Sequence, residues 1–123
     1  MKRSQVARAQ ALASAQEWLD AWNAHDPERV VAHFTDDVIV RSPVAGQLRP
    51  GSHGELRGKN QVLSYYRDGL AASSGLRFSL VEVCIGVDDI TIVYRNQRDI
   101  LVTEALTLSE AGPAREVRVS YGA

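Results

Sequence analysis

Beyond Gly75 the chain reads as strand after strand, joined by connections too short to hold anything else. Runs over 77–87, 90–96, 99–109 and 114–121 are built for strands, and within them side chains two apart must share one side. Val87-Asp88-Asp89-Ile90 and Arg95-Asn96-Gln97-Arg98 have the length of tight hairpins, and Ser109-Glu110-Ala111-Gly112-Pro113 makes a longer turn. Short hairpins force neighbouring strands to be antiparallel. The last third of the chain is therefore a meander, and its apolar side needs a cover from elsewhere in the sequence.

The cover lies upstream. From Ser4, a residue suited to capping, to about Ala24 the pattern is helical, with Leu12, Ala15, Leu19 and Trp22 at three- and four-residue steps and Ala11 and Trp18 on the flank. His25-Asp26-Pro27-Glu28 then punctuates the chain. Asp26 can cap and Pro27 fits the first helical position of a short second helix that buries Val30, Val31 and Phe34. Asp36-Asp37 ends that helix, and 38–42 alternates as a lone strand. The segment from Pro43 to Gly58 holds two prolines and four glycines, a long loop with a short strand near Glu55-Leu56-Arg57. It serves either as a connector or as a lid. A third helix over 59–73 carries Leu63, Tyr66 and Leu70 on one stripe. Helices first and strands later is an α+β order, in one domain spanning 1–123.

Fourteen basic residues face fifteen acidic ones, for a formal net charge of −1, with no basic stripe. That excludes a partner recognised through a phosphate backbone, so no nucleic acid is expected. No apolar run is long enough to span a bilayer, so no membrane partner is expected either. The positive start Met1-Lys2-Arg3 leads into alanines broken by Arg8, Gln10 and Gln16 rather than a signal core, which points to a cytoplasmic protein. The single cysteine, Cys84, excludes an intrachain disulfide and any multi-cysteine metal site, and its apolar neighbours predict a buried structural thiol. The histidines have no metal-ligand spacing, so no metal and no cofactor is expected.

The faces of the sheet carry the functional information. Ile100, Val102, Leu106 and Leu108 share a face with Glu104 in their middle. Burial there raises a carboxyl pKa, and an unpaired buried polar group costs ~1–3 kcal/mol, so a partner is required. Glu104 is either a functional carboxyl in a cleft or a residue reaching water or pairing with an arginine such as Arg95. Glu82, between Leu80 and Cys84, poses the same alternative and favours the plain one. Val117, Val119 and Tyr121 share one face of the last strand. Val81, Val83, Ile85 and Val87 form a second apolar side that Leu101, Thr103 and Ala105 continue. Three helices cannot cover both faces, so a homodimer through the outer face is expected.

Trp18-Leu19-Asp20-Ala21-Trp22-Asn23-Ala24-His25-Asp26, Phe34-Thr35-Asp36-Asp37-Val38, Gly58-Lys59 leading to Tyr65-Tyr66, and the closing Val119-Ser120-Tyr121-Gly122 resemble one family. It comprises the SnoaL-like polyketide cyclases and ketosteroid isomerases of the nuclear transport factor 2-like superfamily. The resemblance spans nearly the whole chain and implies a cone-shaped roll, three N-terminal helices packed on a curved, mostly antiparallel mixed sheet. The superfamily holds isomerases, cyclases, dehydratases and binding modules, so the fold leaves function open. In ketosteroid isomerase an aspartate base moves the proton while a tyrosine and a protonated aspartic acid hold the oxyanion. By resemblance the base falls at Ser42, the tyrosine at Trp18 and the protonated acid at Glu104. Serine is no carboxylate base, and an indole N–H donates but is a weak acid. Only Glu104 keeps its chemistry.

The expected site is an apolar pocket lined by Trp18, Trp22, Phe34, Val38 and Val40, with Tyr66, Val102, Leu106, Val119 and Tyr121 completing it. Glu104 and Ser42 are its polar contacts, and a small apolar or aromatic molecule its ligand. In an enzyme Glu104 would donate or accept the proton in an isomerisation, cyclisation or dehydration, with Trp18 orienting the ligand by stacking. Among the histidines His25 sits at the first helix joint and His33 beside Phe34. His53, in the glycine-rich loop, is the candidate for catalysis. Ser42, His53 and Asp36 make a hydrolytic triad only on paper. The alternative is a non-catalytic binding or dimerisation scaffold whose aromatic residues are simply core.

Overall fold

The computed structural model describes residues 8–123. Its first helix, α1, spans Arg8–Asn23, and the expected Ser4 cap lies outside the described residues. Ala11, Ala15, Trp18 and Trp22 form its buried stripe with Leu19 and Ala21. Leu12 is exposed, so the seam runs one position away from the stripe the spacing predicts. Helix α2, Pro27–Val31, follows its sequence signals: Asp26 Oδ1 accepts from the Arg29 amide at 3.2 Å and Pro27 opens the helix.

Phe34 is not part of that helix. It begins strand β1, Phe34–Arg41, opposite Ala114, because the chain turns extended as soon as the His33 carbonyl accepts from the Ala114 amide at 2.8 Å. Residues 43–58 are more ordered than a loop. Helix α3, Pro43–Leu48, starts at its proline, and strand β2, Glu55–Arg57, pairs with β1. Gly58, at φ +89°, makes the left-handed step into helix α4, Lys59–Ala72, while its amide donates to the Val38 carbonyl. Four helices are therefore present among the described residues, against three expected.

Strands β3 (Ser79–Ile85), β4 (Asp89–Arg95), β5 (Leu101–Leu108) and β6 (Ala114–Tyr121) form the expected meander. The six strands run in the order β2-β1-β6-β5-β4-β3, antiparallel except for the parallel pair β1–β6. The fold is thus α+β, a mostly antiparallel sheet with helices on its inner face. The core on that face takes Val38 and Val40 from β1, Ile90, Ile92 and Tyr94 from β4, and Val102, Leu106 and Val117 from β5 and β6.

Strand β3 departs from a simple alternation. Its register shifts between Leu80 and Glu82, so one extra residue, Val81, is inserted. Beyond the bulge Val83 and Ile85 oppose Ile92 and Ile90 on the inner face, while Glu82 and Cys84 oppose Val93 and Thr91 on the outer one. Cys84 is consequently exposed rather than buried. The outer face carries Cys84, Val93, Leu101, Thr103 and Ala105 in place of the expected run from Val81 to Val87. Among the described residues no helix is long and apolar enough to cross a membrane.

Phe34 is 2% exposed and meets Tyr66 at 6.3 Å between ring centroids. Phe34→Ala is expected to cost ~3–5 kcal/mol of unfolding free energy, measured by urea denaturation, as for other buried aromatics.

Candidate functional site

The curved sheet and helices α1, α3 and α4 enclose a cavity of about 570 Å³ at one end of the core. Strand direction explains which end. The cavity takes Val40 and Ser42 at the far end of β1, Tyr94 and Asn96 at the far end of β4, and Val119 and Tyr121 at the far end of β6. From β5, which runs the opposite way, it takes Ile100, Val102 and Glu104 near the start. The opposite end is packed solid with Phe34, Val38, Ile90, Leu106 and Val117.

Of the residues expected at a site, Trp22, Val40, Tyr66, Val102, Val119 and Tyr121 line this cavity together with Glu104 and Ser42. Phe34, Val38 and Leu106 do not, because the register puts them at the packed end. Trp18 does not either. It sits one helical turn before Trp22, 1% exposed, with its ring against Trp22 and Tyr94 at 6.2 and 5.9 Å. Its indole N–H, like that of Trp22, is buried without an acceptor among the described residues, and of the two rings only Trp22 lines the cavity. His53 is exposed on the turn before β2, away from the cavity, because the segment that carries it pairs along the sheet edge rather than over the mouth. His25 donates to the Leu76 carbonyl at 2.9 Å, and His33, half-buried, lies 3.9 Å from Glu17. Burial pushes the His33 pKa down against the opposing pull of Glu17. No group of three or more His, Cys, Asp or Glu among the described residues is placed to hold a metal.

Glu104 is 5% exposed, with Ile92 and Val119 directly across from it. Its partner is Tyr94, whose hydroxyl donates to Oε2 at 2.6 Å. Arg95 points to the other face, where its Nε lies 3.9 Å from Asp99. Burial raises the Glu104 pKa from the ordinary 4.5 to about 7, only partly offset by the Tyr94 hydrogen bond.

Beside Tyr66 and Tyr121, which the residue pattern places at the pocket, the carboxyl has two phenols near it that the pattern did not single out, Tyr65 and Tyr94. All four tyrosines of the chain, Tyr65, Tyr66, Tyr94 and Tyr121, line the cavity. Burial raises each phenol pKa, that of Tyr121 to about 12, so all four remain hydrogen-bond donors at neutral pH. The Ser42 hydroxyl lies within hydrogen-bonding reach of Tyr65 and Tyr121. Ser42 itself is held by Gly54, whose carbonyl accepts the Ser42 amide at 2.8 Å. Gly54 adopts φ +79°, and a Cβ there would come within 3.0 Å of the Ser42 carbonyl oxygen. Phe78 also lines the cavity, stacked on Tyr94 at 4.2 Å. Asn23 locks it in place, donating to the Phe78 carbonyl at 2.9 Å and accepting its amide at 2.7 Å. Tyr94 could have been found from its parity with Ile92 on β4; Phe78 and Asn23 meet across 55 residues and leave no local signal.

A sequence model of the SnoaL-like domain matches residues 15–121. The chain belongs to the SnoaL-like family. A crystal structure of a SnoaL-like protein of unknown function from Burkholderia thailandensis is 31% identical, covering 98% of this chain and 100% of that one with a TM-score of 0.93. Two more distant structures share the fold. A candidate isomerase of the SnoaL-like family from Agrobacterium tumefaciens is 16% identical over 94% of this chain and 99% of that one, TM-score 0.73. A candidate polyketide cyclase from Sinorhizobium meliloti is 15% identical over 85% and 90%, TM-score 0.69. Among curated proteins none matches the chain significantly.

The raised pKa of Glu104 fixes a pH dependence of stability. Below pH 4.5 the carboxyl is protonated in both folded and unfolded chains; between 4.5 and about 7 only the unfolded chain ionises, which favours unfolding progressively; above about 7 both are ionised and the effect is constant. Melting temperatures of the wild type relative to Glu104→Gln are expected to fall across that window and then level off. A flat difference would place the carboxyl in water.

Proposed function

We propose that this protein binds a small apolar or aromatic ligand in the cone and uses Glu104 for cofactor-independent proton transfer beside a carbonyl group, in an isomerisation, cyclisation or dehydration. The observation that carries the reading is a buried carboxyl with a pKa of about 7 lining an open cavity of about 570 Å³. That volume falls within the ~300–1,000 Å³ usual for ligand sites. A pKa near neutrality lets one group both take and return a proton at physiological pH. The phenols of Tyr66 and Tyr121 supply donors for an oxyanion developing on the ligand, where a preorganised donor acts most strongly in a water-poor site. Trp22 gives the ligand an aromatic wall, and Ser42 serves as a hydroxyl donor rather than a base. The names of the isomerase and cyclase relatives agree with this class of chemistry. A scaffold with a packed cone would have no use for the cavity.

The test is deuterium incorporation from solvent into a panel of unsaturated cyclic ketones, followed by NMR. Exchange is expected to rise with pH through an apparent pKa near 7, as Glu104 ionises to its basic form. Glu104→Gln is expected to lower it ~10²–10⁴-fold, with Glu104→Asp intermediate. Full activity in Glu104→Gln would remove it as the acid or base.

A second copy of the chain is proposed to cover the outer sheet face. The β2–β1–β6 part of that face is occupied by its own ion pairs, Arg57 and Arg41 on Glu55 and Arg118 on Glu116. The β3–β5 part exposes Cys84 and Leu101 and holds Val93, Thr103 and Ala105 half-buried. Sedimentation at micromolar concentration should give a dimer, and Ala105→Arg should dissociate it. A wild-type monomer under those conditions removes the proposal.

A further inference from the structure

One charged group at the cavity has no role in that chemistry. Arg98 lines the mouth and is its single cation among the described residues, as Glu104 is its single acid. Of the eleven described arginines eight have a carboxylate within 4.0 Å, and of the other three, Arg8, Arg77 and Arg98, only Arg98 lines the cavity. Arg98 has none among the described residues, although Asp99 is its neighbour in sequence. The hairpin explains why. Asp99 turns left-handed at φ +61° and gives its carbonyl to Arg95 Nη1 at 3.1 Å and its carboxylate to Arg95 Nε at 3.9 Å. Arg98 is thereby left at the cavity rim, exposed and without a carboxylate partner among the described residues.

The tip that carries it is well tied. Asn96 Oδ1 accepts the amides of Arg98 and Ile100 at 2.9 and 3.1 Å, and the Asn96 amide donates to the Ile100 carbonyl at 3.0 Å. Gln97 on the same turn and Gln47 on α3 add amide groups to the lining. The polar character of the cavity is therefore divided. Inside are neutral phenols and a carboxyl that loses its charge below about pH 7; at the mouth are a guanidinium and amides. An anionic group cannot enter beside Glu104, where no cation compensates it. At the mouth it meets an unpaired arginine whose planar fork suits a carboxylate.

We infer that the ligand is a small aromatic or alicyclic carboxylate that enters ring first and leaves its anionic group at the mouth on Arg98; this rests on the reading of the cone as a ligand site. Arg98 then sets specificity and orientation. It holds one end of the ligand so that the carbonyl at the other reaches Glu104.

Two fluorescent probes with one aromatic skeleton separate charge from shape: 1-anilinonaphthalene-8-sulfonate, whose sulfonate stands in for the carboxylate, and neutral N-phenyl-1-naphthylamine. Both should bind the wild type and move the indole N–H resonance of Trp22, which lines the cavity. Arg98→Gln is expected to raise the Kd of the sulfonate about tenfold, the loss of one charge-assisted contact. The Kd of the neutral probe should stay within about twofold, and Arg98→Lys should recover part of the loss. An equal loss for both probes, or none for the sulfonate, overturns the role of Arg98 while leaving the ligand site standing. If neither probe shifts the Trp22 resonance, the ligand-site reading falls, and this inference with it.

Discussion

A carboxyl group with Ile92 and Val119 across from it has lost its water, and the open end of this protein is arranged around that loss. An ionised carboxylate cannot be left there uncompensated, and a nearby cation would have held it charged. Among the described residues its partner is not a cation but a phenol, Tyr94, at 2.6 Å. One neutral donor satisfies an oxygen without cancelling the cost of charge, so the pKa rises to about 7. Tyr94 in turn needs its own support. It has it from Phe78, stacked at 4.2 Å, and from Trp18 at 5.9 Å behind it. The Asn23 side chain fixes Phe78 by two hydrogen bonds to its backbone, and the His25 ring fixes Leu76 by one. The end of α1 thus sets the wall against which the acid is poised.

The same strands build a solid core at one end and a cavity at the other. Leu106 and Glu104 are neighbours on one face of β5, yet only Glu104 lines the cavity. At the packed end Phe34 backs onto the cavity-lining Tyr66, and Val38 and Val117 fill what remains. At the open end the walls are rings with polar tips, which cover apolar area and still present hydroxyls. Trp22 contacts Tyr66 at 4.6 Å and Phe78 at 5.6 Å, so the lining is braced ring against ring rather than collapsed into the space.

Much of this was legible in the residues. The meander followed from alternation and short hairpins, and β6 occupies the positions expected of it. The Asp26-Pro27-Glu28 signal started α2 because a cap, a fixed φ and a favourable charge all act locally. The burial of Glu104 followed from the parity of its apolar neighbours. What alternation cannot register is an inserted residue: the bulge at Val81 exchanged the faces of β3 and brought Cys84 to the surface. Composition likewise hid α3, since Pro43 opens a helix as readily as it interrupts one.

The sequence by itself determined the α+β order, the meander, the buried carboxyl and the family, because each is written in short-range period, capping and motif. Only the tertiary structure decided which inward residues face a cavity and which are core, for that depends on strand direction and on where along the sheet the helices stop. It alone brought together Ser42, Tyr65 and Tyr121, and Asn23 with Phe78, whose side chains share no local pattern. It also exchanged Trp18 for Trp22 and removed His53 from the site. One helical turn and one edge pairing settle such questions, and neither leaves a trace in the spacing of residues.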